Sequence, residues 1–412
     1  MKSGWQTKAI GDVCAIKPPK SEARAALNSR DLVSFVPMED LPIGSKALSL
    51  NHERPLSEVA SGYTYFADGD VLLAKITPCF ENGKLGIASR LKNGIGFGSS
   101  EYIVLRPNSA LSNEWLYYYL ARESFRREGA SRMSGAVGHK RVPQEFIERY
   151  PIPVPPISEQ KRIVTILDQA FEAIDTAESH AERNLLNAKE LSEGSLESLF
   201  EQRGQEWEKT SLQQLLDRGW IEGHLDGNHG SDYPRKQEFV SSGVPYISAN
   251  CIEDGAVVMS RAKYLSPARA AKIHKGVARN GDVLFAHNAT VGPVAILQIS
   301  VPHVILGTSL TYYRCNKDFI LPEYLALYMT SSLFVKQYSQ VMQQSTRNQV
   351  PITKQREFTH VVPPKIEQEA IVHNLTALFK RTTQLRSINV RKTARLQDLR
   401  GSLLASAFCG AL

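Results

Sequence analysis

The sequence predicts an α+β protein: two globular β-rich heads at opposite ends of an antiparallel two-helix coiled coil, related by an internal pseudo-two-fold repeat. Three observations carry that expectation. The phrase "PVPPISEQ" (153–160) returns as "VVPPKIEQ" (361–368), 208 positions later. Each phrase opens a proline-free stretch with residues in 4-3 spacing, the pattern of a paired helix. Each is preceded by about 150 residues punctuated by Gly and Pro, whose regular pieces are short and β-rich. The expected divisions are head one over 1–152, helix one over 153–206, head two over 207–360 and helix two over 361–412.

The duplication is colinear. Trp5 matches Trp207, "GDVLLAK" (69–75) matches "GDVLFAH" (281–287), and "FGSSEYIVLR" (97–106) matches "LGTSLTYYR" (306–314). "EWLYYYL" (114–120) matches "EYLALYM" (323–329), and Val142-Pro143 matches Val350-Pro351. From the Pro-Pro onward the offset stays at 208 without a gap, pairing Ile163 with Ile371, Leu167 with Leu375 and Phe200 with Phe408. A series in one order across both halves is the mark of a repeated module.

The two tails are the clearest elements. Pro155-Pro156 and Pro363-Pro364 cannot lie inside a helix but suit its entrance. Glu159 and Glu367 then fall in the first turn, where a negative charge meets the helix dipole favourably. Ser158 is the expected N-cap of helix one, whereas Ile366 cannot cap helix two. The first seam reads Ile163, Leu167, Ala170, Ile174, Ala177, Ala181, Asn184, Ala188, Leu191, Ser195 and Ser198. The second reads Ile371, Leu375, Leu378, Thr382, Leu385, Asn389, Lys392, Leu396, Leu399, Leu403 and Ser406. Each implies roughly 60 Å of helix at about 1.5 Å per residue. Residues 151–206 carry 11 acidic and 5 basic side chains, and residues 361–412 carry 3 and 8. Complementary charge, with an Ala-rich seam facing a Leu-rich one, makes the two helices partners. Only residues 201–206 separate helix one from head two, so helix two must start at the far end and run back.

The heads read as short strands, such as "GDVLLAK" and "EYIVLRP", with helical stretches only at 113–130 and 321–340. The Gly-Asp pairs at 69–70 and 281–282 are turn signals, and their aspartates need no catalytic role.

Composition narrows the function. The net charge of +7 is mildly basic and suits a polyanion partner. The five cysteines are scattered, which fits reduced thiols rather than a zinc or disulfide framework. No apolar run is long enough to span a membrane and the N-terminus lacks an apolar signal core, so a cytoplasmic protein without membrane contact is expected. No catalytic motif emerges. "GIGFGS" (94–99) lacks the third glycine of a dinucleotide loop and precedes a strand. "ENGK" (81–84) has the wrong spacing for a metal-dependent nuclease, and no Asn/Asp-Pro-Pro-aromatic loop of an amino-methyltransferase is present.

The heads do offer loops rich in basic and amide groups at matching positions. "AKITPCFENGK" (74–84) corresponds to "AHNATVG" (286–292), and "GHKRV" (138–142) to "TRNQV" (346–350). Arg and Lys can read guanine edges, Asn and Gln adenine edges, and all of them bind phosphate. The candidate DNA-binding residues in head one are Lys75, Thr77, Asn82, Lys84, Ser99, Ser100, His139, Lys140 and Arg141. In head two they are His287, Asn288, Thr290, Thr308, Ser309, Arg347, Asn348 and Gln349. Loops alike in position but different in residues suit two heads that read different sequences.

These phrases together resemble the DNA-specificity subunit of type I restriction-modification systems, over essentially the whole chain. The marks are "GDVLLAK", "GSSEYIVLRP" and "PVPPISEQKRIVTIL", with the second copy giving "GDVLFAH", "GTSLTYYR" and "VVPPKIEQEAIVHNL". The terminal "LRGSLLASAFCGAL" also resembles the family's last helix. The resemblance implies two target-recognition domains, each reading half of a split double-stranded DNA target, and no catalysis by this chain. It implies two methyltransferase subunits, which use S-adenosylmethionine, and restriction subunits, where present, which use ATP and Mg2+. No cofactor is expected on this chain itself. The competing reading is a duplicated two-headed protein scaffold that does not bind DNA.

Overall fold

A computed structural model describes residues 4–136, 138–201, 204–230, 233–344 and 348–412. They divide into two compact units. The first comprises Met1–Glu182 and Asn389–Leu412, and the second Arg183–Ile388. Each unit therefore holds one head and a half of each long helix.

In the first unit, Gln6–Ala9 pairs antiparallel with Pro151–Val154 and brings the two ends of the head together. One four-stranded sheet runs Cys14–Ile16, Tyr102–Pro107, Val71–Ala74, Leu85–Ile87. A second runs His52–Pro55, Leu32–Val36, Ile95–Gly98, Thr64–Ala67, with a parallel pair between Leu32–Val36 and Ile95–Gly98. The second unit repeats this plan. Glu208–Ser211 pairs with Thr359–Val362, and a four-stranded sheet runs Ile221–Asp226, Leu310–Cys315, Val283–Asn288, Thr290–Ile296. A five-stranded sheet holds the corresponding parallel pair, Val244–Ile247 beside Val304–Leu306. The stretches 113–130 and 321–340 are each two helices rather than one: Asn113–Leu120 with Glu123–Ser131, and Pro322–Thr330 with Ser332–Gln343.

The turn aspartates have a further task. Gly69 and Gly281 adopt left-handed φ of 91° and 90°, which a side chain resists. The following Asp70 and Asp282 are buried, and each takes a two-toothed bond from an arginine across the sheet. Arg106 donates to Asp70 at 2.6 and 2.7 Å, and Arg314 to Asp282 at 2.9 and 2.7 Å. Such charge-assisted forks are geometrically strict, so the Gly-Asp and the distant Arg recur together.

The long helices run Ile157–Glu201 and Lys365–Cys409. The backbone carbonyl of Pro156, not Ser158, receives the first amide bonds, from Glu159 and Gln160 at 2.9 and 3.1 Å. Ser158 lies inside the helix because the helix begins at Ile157, two residues earlier than a Ser158 cap would place it. Pro364 does the same for Glu367 and Gln368, at 2.9 and 3.1 Å. The glutamine of the repeated phrase is the anchor. Gln160 is fully buried, donates to the carbonyls of Ala110 and Pro155, and accepts from the Ser112 amide, all at 2.8 Å. Gln368 does likewise with Phe319, Pro363 and Leu321, at 2.8, 2.9 and 2.9 Å.

Within each unit the helices pair antiparallel. In the first, Arg162 donates to the Leu412 carbonyl at 2.8 Å and Arg400 pairs with Asp175, so residue numbers run oppositely. In the second, Ser192 bonds Thr382 at 2.9 Å, while Phe200 shares a core with Ile371 and Leu375. The C-terminal ends of the two long helices are locked by equivalent aromatics. Phe408 sits 4.6 Å from Trp115 and 4.9 Å from Tyr119, and Phe200 sits 5.4 Å from Tyr328 (ring centroids).

The seam departs from the strict heptad. Asn184, Leu191, Ser198, Leu385, Lys392 and Leu399 are exposed, whereas Leu185, Ser192, Leu199, Thr393 and Arg400 turn inward. A straight helix at 3.6 residues per turn drifts by about 20° per heptad, so the inward row moves one residue on.

Candidate nucleic-acid interface

The matched loops converge in each head. In the first, the Val142 amide donates to the Lys75 carbonyl and the Thr77 amide to the Lys140 carbonyl, both at 2.9 Å. In the second, Val350 donates to His287 at 2.8 Å and Ala289 to Asn348 at 2.9 Å. These are equivalent bonds: the offset is 208 for the later loop and 212 for the earlier one. Isolated bridges between Ile76 and Arg141, and between Asn288 and Gln349, complete the match.

The residues on this shared frame differ in exposure. His139, Lys140 and Arg141 are exposed, on a segment closed by paired backbone bonds between Ser134 and Arg141 at 3.1 and 2.9 Å. Ser100 is exposed and Ser99 half-buried, its hydroxyl accepting from the Glu101 amide at 3.2 Å. Thr77 is half-buried and donates to Glu81 at 3.1 Å. Asn82 is exposed and lines a groove with Lys46, Tyr117 and Arg126. Lys84 is turned inward: its ammonium donates to the carbonyls of Met38, Leu41 and Glu39 at 2.7, 2.9 and 3.3 Å. That cation holds a short 3-10 turn (Met38–Asp40) and is not presented as a free charge.

In head two, Thr290 and Asn348 are exposed, and Asn288, Thr308, Ser309 and Gln349 half-buried. Ser309 accepts from the Ala249 amide at 2.9 Å. His287 is 1 % exposed, with Nδ1 3.1 Å from the Val350 carbonyl, and burial holds its pKa below the usual histidine value. Its ring supports the loop from beneath, because the strand Val283–Asn288 turns that side chain into the core. Arg347 lies outside the described residues.

The residue that sequence reasoning missed is Glu101, one place after Ser100. Its carboxylate takes Arg141 Nε at 2.9 Å and Nη2 at 2.7 Å, and stands 3.8 Å from the Lys75 ammonium. Lys75 also donates to the Ser100 carbonyl at 3.0 Å. Arg141 and then Lys75 pull the Glu101 pKa below the usual carboxylate value despite partial burial, so it is ionised at neutral pH. Partial burial lowers the Lys75 pKa and Glu101 partly restores it. An acidic residue is easily passed over in a search for polyanion ligands; its position inside "GSSE" was the available signal.

The type I restriction modification DNA specificity domain matches twice, over residues 2–186 and 206–392. The chain belongs to that family. It is 36% identical over 210 residues to the Type I restriction enzyme EcoAI specificity subunit of Escherichia coli, a match covering 50% of this chain and 34% of that protein. It is 37% identical over 210 residues to the EcoEI specificity subunit, with the same coverage. These matches span about a third of the length of those relatives. A longer match, 23% identical over 367 residues, links it to the EcoKI specificity subunit of E. coli strain K12, covering 82% of this chain and 76% of that one. Among solved structures, the HsdS subunit from Thermoanaerobacter tengcongensis shares the fold with a TM-score of 0.67 at 19% identity, covering 100% of this chain and 98% of that one. A chain solved in work on complex assembly and conformational transition of the type I R-M system has a TM-score of 0.75 at 19% identity, covering 99% and 98%. Among the described residues, no helix of the specificity-family chain is long and apolar enough to cross a membrane.

Proposed function

We propose that this chain is the sequence-reading subunit of a type I restriction-modification complex. It binds double-stranded DNA carrying a split target, one head per half-site, and performs no chemistry itself. Two methyltransferase subunits join it and use S-adenosylmethionine to methylate adenines flipped into their own pockets. Restriction subunits, in complexes that carry them, bring ATP and Mg2+. The complex works in the cytoplasm, where its DNA is.

The observation that carries this reading is the pair of converging loops. The backbone frame is conserved from head to head, while the residues on it change from Lys140-Arg141 to Asn348-Gln349. A shared frame with exchanged polar side chains suits two readers of different base sequences. A protein scaffold would have no use for that exchange, and family membership does not favour it.

The test is methylome sequencing of a host carrying the chain with its methyltransferase partner. The expected result is a new motif of two specified half-sites with a fixed unspecified gap and methyl-adenine on opposite strands. A contiguous motif, or no new methylation from an expressed complex, overturns the proposal.

A further inference from the structure

We propose that Arg141 reads a guanine edge in the first half-site and that Glu101 is the residue that positions it. This rests on the reading of the chain as a DNA-specificity subunit. It adds a named reader, a named base and a division of labour between two side chains.

The guanidinium of Arg141 carries five N–H groups. Nε and one hydrogen of Nη2 face Glu101, at 2.9 and 2.7 Å. Nη1 spends one hydrogen on the His139 carbonyl at 3.1 Å. One hydrogen on Nη1 and one on Nη2 remain. A free hydrogen on each of the two terminal nitrogens supplies the two donors that the O6 and N7 acceptors of guanine take. The Arg141 side chain is 46 % exposed, so these donors are accessible.

The same contacts argue for a base rather than a phosphate. A phosphate oxygen can be met from many directions, so fixing a guanidinium on two sides gains little for it. A carboxylate about 3 Å away also repels a phosphate, whereas a neutral base edge tolerates it. Lys75 leaves the carboxylate only partly neutralised, since its ammonium stands 3.8 Å off and is bonded to Ser100. Among the described residues, head two has no such clamp. The positions of Lys75, Glu101 and Arg141 are held there by His287, Ser309 and Gln349. The clamp therefore belongs to one half-site, and the other is an internal control.

The experiment selects from a random duplex DNA library with the chain reconstituted with its methyltransferase subunit, comparing wild type, Glu101→Gln, Arg141→Ala and the double variant. The expected wild-type motif contains a G·C pair in one half-site. Glu101→Gln and Arg141→Ala should each lower the preference at that pair about tenfold. The double variant should do no worse than Arg141→Ala, and the other half-site should be unchanged. Glu101→Asp, with a shorter reach, should give a partial loss. A general misfolding of head one would erode every position of its half-site instead, which overturns the positioning role. A uniform loss of affinity with a shallower salt slope would make Arg141 a phosphate contact and also overturn it. If Glu101→Gln selects the wild-type motif, Glu101 positions nothing. Failure of the wild-type complex to select any motif would instead sink the specificity-subunit reading.

Discussion

Lowering the pH from 7.5 to 5 should loosen the second head and spare the first. Head two carries a buried polar network in its core. Gln355 Oε1 stands 3.1 Å from His224 Nε2 and accepts from the Tyr313 hydroxyl at 3.0 Å, and its Nε2 donates to Thr311 and the Val350 carbonyl at 3.2 and 3.0 Å. His360 packs against the rings of Tyr313, Tyr328 and Phe334, with Nδ1 3.1 Å from the Phe358 carbonyl. In head one the matching positions are Ile16, Ile147, Leu105, Ile103 and Ile152, an apolar core. Burial pushes His224 down to about 3, with Arg356 and His360 adding to it and Gln355 and Asp226 opposing; it pushes His360 down to about 4. The unfolded chain takes up these protons below about pH 6.5, the folded one not until pH 3–4, so the stability they support is complete above 6.5 and falls as the pH drops. At pH 5 each neutral ring costs about 2 kcal/mol relative to pH 7.5, or about 4 kcal/mol together. That is a large part of a typical domain stability. Hydrogen exchange read by mass spectrometry, corrected for intrinsic rate, resolves the heads separately. Protection of the strands Val283–Asn288 and Leu310–Cys315 should fall about 1000-fold between the two pH values, and that of Val71–Ala74 and Tyr102–Pro107 far less. The variant His360→Ile, which copies Ile152, should recover about half of the loss on the logarithmic scale. Equal loss in both heads, or an undiminished loss in His360→Ile, would refute the reasoning.

Gln160→Ala strands the amide of Ser112 and two carbonyls at the root of helix one, and should cost about 2–4 kcal/mol in urea unfolding; Gln368→Ala should do the same for the second unit. Phe408→Ala removes the ring between Trp115 and Tyr119 and should cost about 3–5 kcal/mol, read in the same experiment. Lys140→Ala removes an exposed cation, so it should weaken binding of the reconstituted complex to all duplexes alike and reduce the salt slope by about one, measured by fluorescence anisotropy. Deleting one heptad from both long helices should shift the gap of the methylated motif, and an unchanged gap would remove the helices as the spacer.

Much of the architecture was legible because a duplicated chain repeats its own constraints. The Pro-Pro of the repeated phrase marks the helix entrance by sterics alone, and the apolar spacing with opposite charge announces a helix pair. The Gly-Asp turn was readable for the same reason, since backbone conformation there depends on its own residues. The seam was legible only approximately: near Ile163, Leu167 and Ile174 large residues pin it, but in the small and polar stretch around Ala188 and Ser192 a one-residue drift costs little.

What the sequence by itself determined is the repeat, the two heads, the long helices and the family, all carried by local sterics and periodic apolar burial. Only the tertiary structure decided which polar residues face outward and what holds them. It turned His287 and Lys84 inward, spent Gln160 and Gln368 on the helix roots, and set Glu101 against Arg141. The physical reason is distance along the chain. Glu101 and Arg141 are 40 residues apart, and Asp70 and Arg106 are 36. Nothing in either local sequence encodes its partner, so the charge that a side chain presents to solvent is fixed only when the sheet brings the two together.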